Sequence, residues 1–227
     1  MPLTPIIRDY HSKPNKMDAE LSEAQHLFDA MCKKTLYKGK NVSINDFLYK
    51  CFTGNHFCHL HLTKAQRPIL IKDAVNALKA CKILTFSGTK FEDLYKEVEN
   101  AIGKLNQVGP LIIYDTAKMI GHVLNPKIEP TDYVYTQCGA KEGAKILLGK
   151  KRMGRKIQTK DFIKFFPGES SIYIEDMLCI YKAFFKKKGI KKRIILSGTS
   201  SKTKSGKKCP SKLLNSYCST SVNPRRC

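Results

Sequence analysis

Apolar residues along this chain return mostly at intervals of three and four, the spacing of one helix face rather than the alternation of a strand. Over residues 17–34, Leu21, Ala24, Phe28, Met31 and Cys32 keep that spacing, and Asp18, Glu20 and Glu23 favour the N-terminal end through the helix dipole. After a KGKN turn, Ser43 is placed to cap a short helix with Ile44, Phe47, Leu48 and Cys51 on one face. Residues 63–81 carry a third stripe, Ile69, Leu70, Ala74, Leu78 and Cys81, which the turn FSGTK ends. Thr89 or a neighbour caps the next helix, where Phe91, Leu94, Val98 and Ile102 repeat at three and four. A helix over 111–124 follows, then a loop holding Pro126 and Pro130, and further helices are expected at about 139–149, 158–166 and 170–187. Only TDYVYT and RIILS read as strands, and both are short.

The stretch 102–124, IGKLNQVGPLIIYDTAKMIGHVL, sets two apolar helices end to end across Gln107-Val108-Gly109-Pro110, the pattern of a helix-hairpin-helix. Gly109 is expected to take the positive φ of a tight hairpin, and Pro110 at the first helical position starts a helix without losing a needed N–H. The amides of Leu111 and Ile112, with Val108 beside them, then have no intrahelical acceptor and form a cradle suited to phosphate. Tyr114 and Asp115 lie one turn further along, Tyr114 as a core residue.

The predicted fold is therefore all-α, a multi-helix single domain over 18–188 with the hairpin at 102–124. A loose N-terminal arm, 1–17, with three prolines precedes it, and a basic tail, 189–227, follows. That tail has 10 basic and no acidic residues, interspersed with Gly, Ser and Pro, so self-repulsion and scarce apolar area predict disorder.

The chain carries 41 Lys+Arg against 19 Asp+Glu, and the excess is uneven: residues 1–140 hold 18 basic and 14 acidic side chains, residues 141–227 hold 23 and 5. No acidic residue follows Asp176. A field of one sign concentrated at one end attracts polyanions, among which nucleic acid has the highest charge density. The last forty or so residues show no basic amphipathic helix with an aromatic face, so a membrane surface is not the expected partner. The start, MPLTPIIRDYHSK, meets Arg8 and Asp9 before any apolar run of signal-peptide length, and no uncharged stretch reaches the roughly 18 residues of a membrane span. A cytoplasmic protein is expected, with its nine scattered cysteines reduced.

Residues 105–148 resemble the hairpin region of helix-hairpin-helix DNA-repair proteins, the base-excision glycosylases among them, whose pattern runs Leu-Pro-Gly-Val-Gly, then a helix, then an Asp-centred turn. Leu105, Val108 and Gly109 match, and Asp132 in PTDYV lies near the place of the family's catalytic aspartate. The resemblance implies DNA as partner and Asp132 as the group that would steady a cationic sugar or activate water. Gln107 stands where the first glycine belongs, Leu111 where lyase-type members keep a lysine, and no His follows Asp132 two residues on. Schiff-base chemistry is thereby disfavoured, and any catalysis would be monofunctional. IIYDTAKMIGHVL with VYTQCGAKEGAKILLG also resembles uncharacterised bacterial proteins with a YDTA-type motif, a resemblance that implies no function.

The leading expectation is a nucleic-acid backbone binder, for DNA before RNA, that grips phosphates through Val108, Gly109, Leu111 and Ile112. Two basic clusters would assist: Lys150, Lys151, Arg152, Arg155 and Lys156, and Lys186, Lys187, Lys188, Lys191, Lys192 and Arg193. A glycosylase-like enzyme using Asp132 is one alternative, and a protein–protein module in which the hairpin is a packing corner is another. No cofactor is expected. Cys51, His56, Cys58, His59 and His61 concentrate potential zinc ligands, although their spacing matches no familiar finger, and a buried Cys with surface His is the simpler expectation. SGTSSKTKSGKK is not a Walker-type loop, because Thr203 stands where a glycine is required and Lys208 follows Gly206-Lys207.

Overall fold

The computed structural model describes residues 2–54, 66–149 and 154–188. Helices dominate them: α1 (Thr4–His11), α2 (Lys16–Lys33), α3 (Ile44–Phe52), α4 (Gln66–Ala80), α5 (Phe91–Ile102), α6 (Pro110–Val123), α7 (Cys138–Leu148), α8 (Ser171–Ile180) and α9 (Lys182–Lys188). Four short strands, β1 (Leu36–Tyr37), β2 (Lys40–Asn41), β3 (Tyr133–Tyr135) and β4 (Lys156–Gln158), form two antiparallel pairs, β1 with β2 and β3 with β4. The chain is mostly helical, as its periodicity predicts. It divides into two compact units where one domain over 18–188 is expected: a central unit, Pro14–Pro130, and a terminal unit, Met1–Lys13 with Thr131–Cys227. The border falls in the proline-bearing loop after α6, where helix periodicity stops.

In the central unit, local signals set the helix ends. The Asn15 side chain accepts the Met17 N–H at 2.9 Å to start α2. Ser43 and Asp46 close a reciprocal capping box on α3, with the Ser43 N–H donating to Asp46 at 2.8 Å and the Asp46 N–H donating to Ser43 Oγ at 3.2 Å. The predicted stripe of α5 is buried in full: Phe91, Leu94, Val98 and Ile102. Its N-cap is Lys90, which makes no side-chain cap, rather than Thr89. On α4 the buried face is Leu70, Ala74, Val75 and Leu78, so Ile69, 62% exposed, and Cys81 fall off it. Val75 at i+5 from Leu70 rotates that face away from both ends of the predicted stripe. Helix α6 is apolar nearly all round and is buried accordingly, from Ile112 through Ala117 and again at Met119, Ile120, Gly121 and Val123, against α2, α3 and α5.

In the terminal unit, the expected loose arm is instead helix α1. Pro5 fits the first helical turn, and Ile6 and Tyr10, one turn apart, enter the core together with Leu3. The Leu3 N–H donates to the Phe165 carbonyl at 2.7 Å, and the Tyr10 hydroxyl donates to Asp176 at 2.8 Å. The Tyr181 hydroxyl donates to Asp9 at 2.6 Å, and burial, then this bond, pushes the Tyr181 phenol above its ordinary range. The helix expected at 158–166 is replaced by β4 and a 3-10 turn, Thr159–Asp161, because Ile157 pairs into a sheet and Phe162, Phe165 and Phe166 all turn into the core. The helix expected at 170–187 breaks at Tyr181 into α8 and α9. RIILS and the 189–227 tail lie outside the described residues. No helix among the described residues is long and apolar enough to cross a membrane.

Helices α7 and α8 approach through the small residues Gly139 and Gly143. A Cβ on Gly143 would fall on the Leu178 carbonyl, and one on Gly139 would fall on the Cys179 sulfur. Backbone cannot yield as a side chain can, so Gly143→Ala is expected to destabilise the protein by about 3 kcal/mol, the upper end of overpacking costs. Lys141→Ala, on the exposed side of α7, should stay within about 0.5 kcal/mol. Urea unfolding midpoints of the two variants check the contrast.

Candidate nucleic-acid interface

Strands β3 and β4 pair in the register Tyr133↔Gln158, Val134↔Ile157 and Tyr135↔Lys156. Val134 and Ile157, opposite each other and both buried, fix which face is the core face. Alternation then puts Tyr133, Tyr135, Lys156 and Gln158 on the other face. Lys156 Nζ lies 4.3 Å from the centroid of the Tyr133 ring, a cation–π contact across the diagonal of the pair. Tyr135 is covered, Tyr133 is half-buried, and Lys156 and Gln158 are exposed.

Both ends of this small sheet are fastened. At one end the Thr136 N–H donates to the Arg155 carbonyl at 2.9 Å and the Thr136 hydroxyl donates to the Gly154 carbonyl at 2.7 Å. At the other, the Thr131 carbonyl accepts the Thr159 and Ser171 hydroxyls at 2.8 and 2.9 Å, and the Thr159 N–H donates to the Asp132 carbonyl at 2.9 Å. Asp132 itself is exposed, its carboxylate accepting the Thr131 hydroxyl at 3.4 Å.

Exposed cations flank β4 in sequence. Arg155, Lys156, Lys160 and Lys164 all reach solvent. Lys186 on α9 pairs with Glu142 at 3.1 Å, and that contact holds the Glu142 carboxyl below its usual range. Both partners are largely exposed, so the pair is screened and leaves the lysine available to compete for other anions. Lys187 and Lys188 belong to α9. Lys150, Lys151, Arg152, Lys191, Lys192 and Arg193 lie outside the described residues. Counted by unit, the terminal unit has 25 basic and 7 acidic side chains, a net of +18, while the central unit has 16 and 12, a net of +4.

The hairpin sits in the central unit. Helices α5 and α6 pack together, and residues 103–109 connect them. The positive φ expected at Gly109 is at Gln107, φ 70°, whereas Gly109 is extended at φ −103° and ψ 174°. Pro110 explains the displacement, because the ring of a proline drives the residue before it into the extended region. Pro110 does occupy the first turn of α6, which has no side-chain cap and no acidic residue there. The Val108 N–H is not a free donor: it closes a turn on the Leu105 carbonyl at 3.1 Å. Leu111 is half-buried and Ile112 is 6% exposed. The hairpin residues belong to the central unit, and Arg155, Lys156 and Lys186 belong to the terminal unit.

Tyr114 is in the core, edge-on to Phe91 with ring centroids 5.9 Å apart. Asp115 and Lys118 pair at 3.1 Å with each side chain 11% exposed, and Lys118 Nζ lies 5.2 Å from the Tyr114 ring centroid. Cys51 is fully buried, which pushes its thiol above the ordinary range and disfavours the thiolate a metal would need. Its proposed co-ligands His56, Cys58, His59 and His61 lie outside the described residues. Among the described residues no group of His, Cys, Asp or Glu is arranged to hold a metal ion.

No family model, curated protein or solved structure matches the chain. Tyr133, which no sequence expectation singles out, is the half-buried ring on the outer face of this sheet. Its signal was the alternation in TDYVYT, which places Tyr133 and Tyr135 on the face opposite Val134.

The hairpin geometry gives an opposed pair of outcomes. A Cβ on Gly109 meets nothing within 4 Å and its φ suits any residue, so Gly109→Ala is expected to stay within about 0.5 kcal/mol of the parent. Gln107→Gly relieves a left-handed side-chain conformation, partly offset by glycine's larger unfolded-state entropy, for a net gain of about 0.5 kcal/mol. Thermal unfolding of both variants measures the signs.

Proposed function

We propose that this protein binds nucleic acid through its phosphates, with the terminal unit as the gripping body. The observation that carries the reading is the separation of charge along the chain, +18 on the residues of the terminal unit against +4 on those of the central one, with 13 of the terminal unit's 25 basic side chains outside the described residues. A net charge spread evenly would serve solubility alone. Concentrated in one part of the chain, it raises the local concentration of a polyanion there and speeds its arrival. Arg155 and Lys156 lie just before and at the start of β4, Lys160 and Lys164 follow it in sequence, and all four are exposed to solvent. Phosphate contacts from such side chains position a nucleic acid and carry no sequence information, so selectivity among sequences is low. The α5–α6 hairpin serves the packing of the central unit, since its Val108 amide is already used and Ile112 is buried.

Titration of labelled duplex and single-stranded DNA across a salt series tests this. The logarithm of affinity is expected to fall linearly with the logarithm of salt, by about 0.9 per phosphate neutralised on duplex and about 0.7 on single strands. Arg155→Glu should weaken binding to all sequences alike and reduce the slope by about 1, whereas Lys104→Glu in the central unit should leave both unchanged. A slope near zero refutes the reading.

A further inference from the structure

We propose that the outer face of the β3–β4 pair is a stacking platform for single-stranded nucleic acid, with Tyr133 receiving a base while Lys156 and Arg155 hold the flanking phosphates. This rests on the reading that the terminal unit binds nucleic acid, and adds which form of strand it takes.

Three observations converge on this face. The register puts Val134 and Ile157 inward, so Tyr133 and Lys156 share the outer surface, and the aromatic ring is held there by its strand rather than drawn into the core. Lys156 Nζ lies over the Tyr133 ring, 4.3 Å from its centroid, so the exposed lysine covers that face in the free protein and swings off it onto the phosphate of the nucleotide whose base takes its place. The sheet is also fixed in advance, by Thr136 on the Gly154 and Arg155 carbonyls and by Thr159 and Ser171 on the Thr131 carbonyl. Little order has to be gained when a ligand docks on it.

The charge of the unit is complementary to a polyanion of either strand form, so it cannot by itself choose between them. The tyrosine can. In a duplex the base faces are covered by their neighbours, and the ring has nothing to stack on. In a single strand each base offers a face, and aromatic residues on a sheet beside a cationic track are the usual way such strands are held without sequence preference.

The chain has no tryptophan, which supplies a direct readout. In the whole 227-residue chain, Tyr133→Trp introduces the sole tryptophan emission. Its quenching by oligothymidylate is expected to track binding, with no quenching by a duplex at equal occupancy. Tyr133→Ala should weaken oligothymidylate binding about tenfold or more while leaving duplex affinity and the salt slope unchanged, and Tyr133→Phe should retain parental affinity. Circular dichroism and melting of each variant confirm that the fold persists, and Tyr133→Trp keeps an aromatic ring in place if Tyr133→Ala does not fold. Unchanged oligothymidylate affinity in Tyr133→Ala, or equal quenching by both strand forms, overturns the platform while salt-dependent binding still stands. Absence of salt-dependent binding to either form overturns the underlying reading and the platform with it.

Discussion

The terminal unit depends on how closely two backbones meet. At Gly143 there is no room for a methyl group between α7 and the Leu178 carbonyl of α8, and Gly139 likewise admits the Cys179 sulfur. That contact sets the distance between the two helices, and the rest of the unit follows. Helix α7 begins three residues after β3 ends, so its placement fixes where the strand stops. Helix α8 begins with Ser171, whose hydroxyl donates to the Thr131 carbonyl just before β3, so its placement fixes where the strand starts. A strand held at both ends by one helix pair has little freedom to turn its faces. The first turns of the chain complete the arrangement from a distance of more than a hundred residues in sequence, through Tyr10 on Asp176 and Tyr181 on Asp9.

The central unit depends on a different constraint, the burial of α6 on nearly every side. A helix with no solvent face must have its charged groups matched, and Asp115 and Lys118 match each other one turn apart, with the Tyr114 ring beside the ammonium. The same burial limits what the hairpin can present. Residues 108–111 at the start of α6 are half-buried, whereas Ile112 and the five residues after it are enclosed.

The sequence reveals helices wherever one face alone is apolar. The α5 stripe is complete in the periodicity, and the α3 cap can be read from Ser43 and its spacing to Asp46. It conceals what depends on distant partners. Residues 1–13 look loose because Leu3, Ile6 and Tyr10 are few, and their burial comes from residues beyond 134. The 158–166 segment has phenylalanines at near-helical spacing, yet tertiary pairing of Ile157 with Val134 decides its form. Gly109 is misread for a local reason: a glycine permits positive φ, but the proline after it removes the need, and Gln107 accepts the turn instead. Of the candidate site, the charge asymmetry was fully legible. Its coincidence with a boundary between units was not, because the unit is built from both ends of the chain.

On the proposed reading, two energies of different character would meet on the β3–β4 face and divide the work of recognition. Attraction between the cations of the terminal unit and a phosphate chain is long-ranged, weakens as salt rises and acts alike on every strand form and sequence. Stacking on Tyr133 is short-ranged, largely indifferent to salt and open only to a base whose face is uncovered. A protein with the first energy alone would distribute itself over whatever polyanion is most abundant. Adding the second shifts that distribution toward unpaired strands without any contact to a base edge, and so without sequence preference. The cation–π pair connects the two, because Lys156 belongs at once to the charge field and to the ring. As salt rises and the phosphate contacts fade, the share of binding due to stacking should grow, so the preference for single strands over duplex should widen as overall affinity falls.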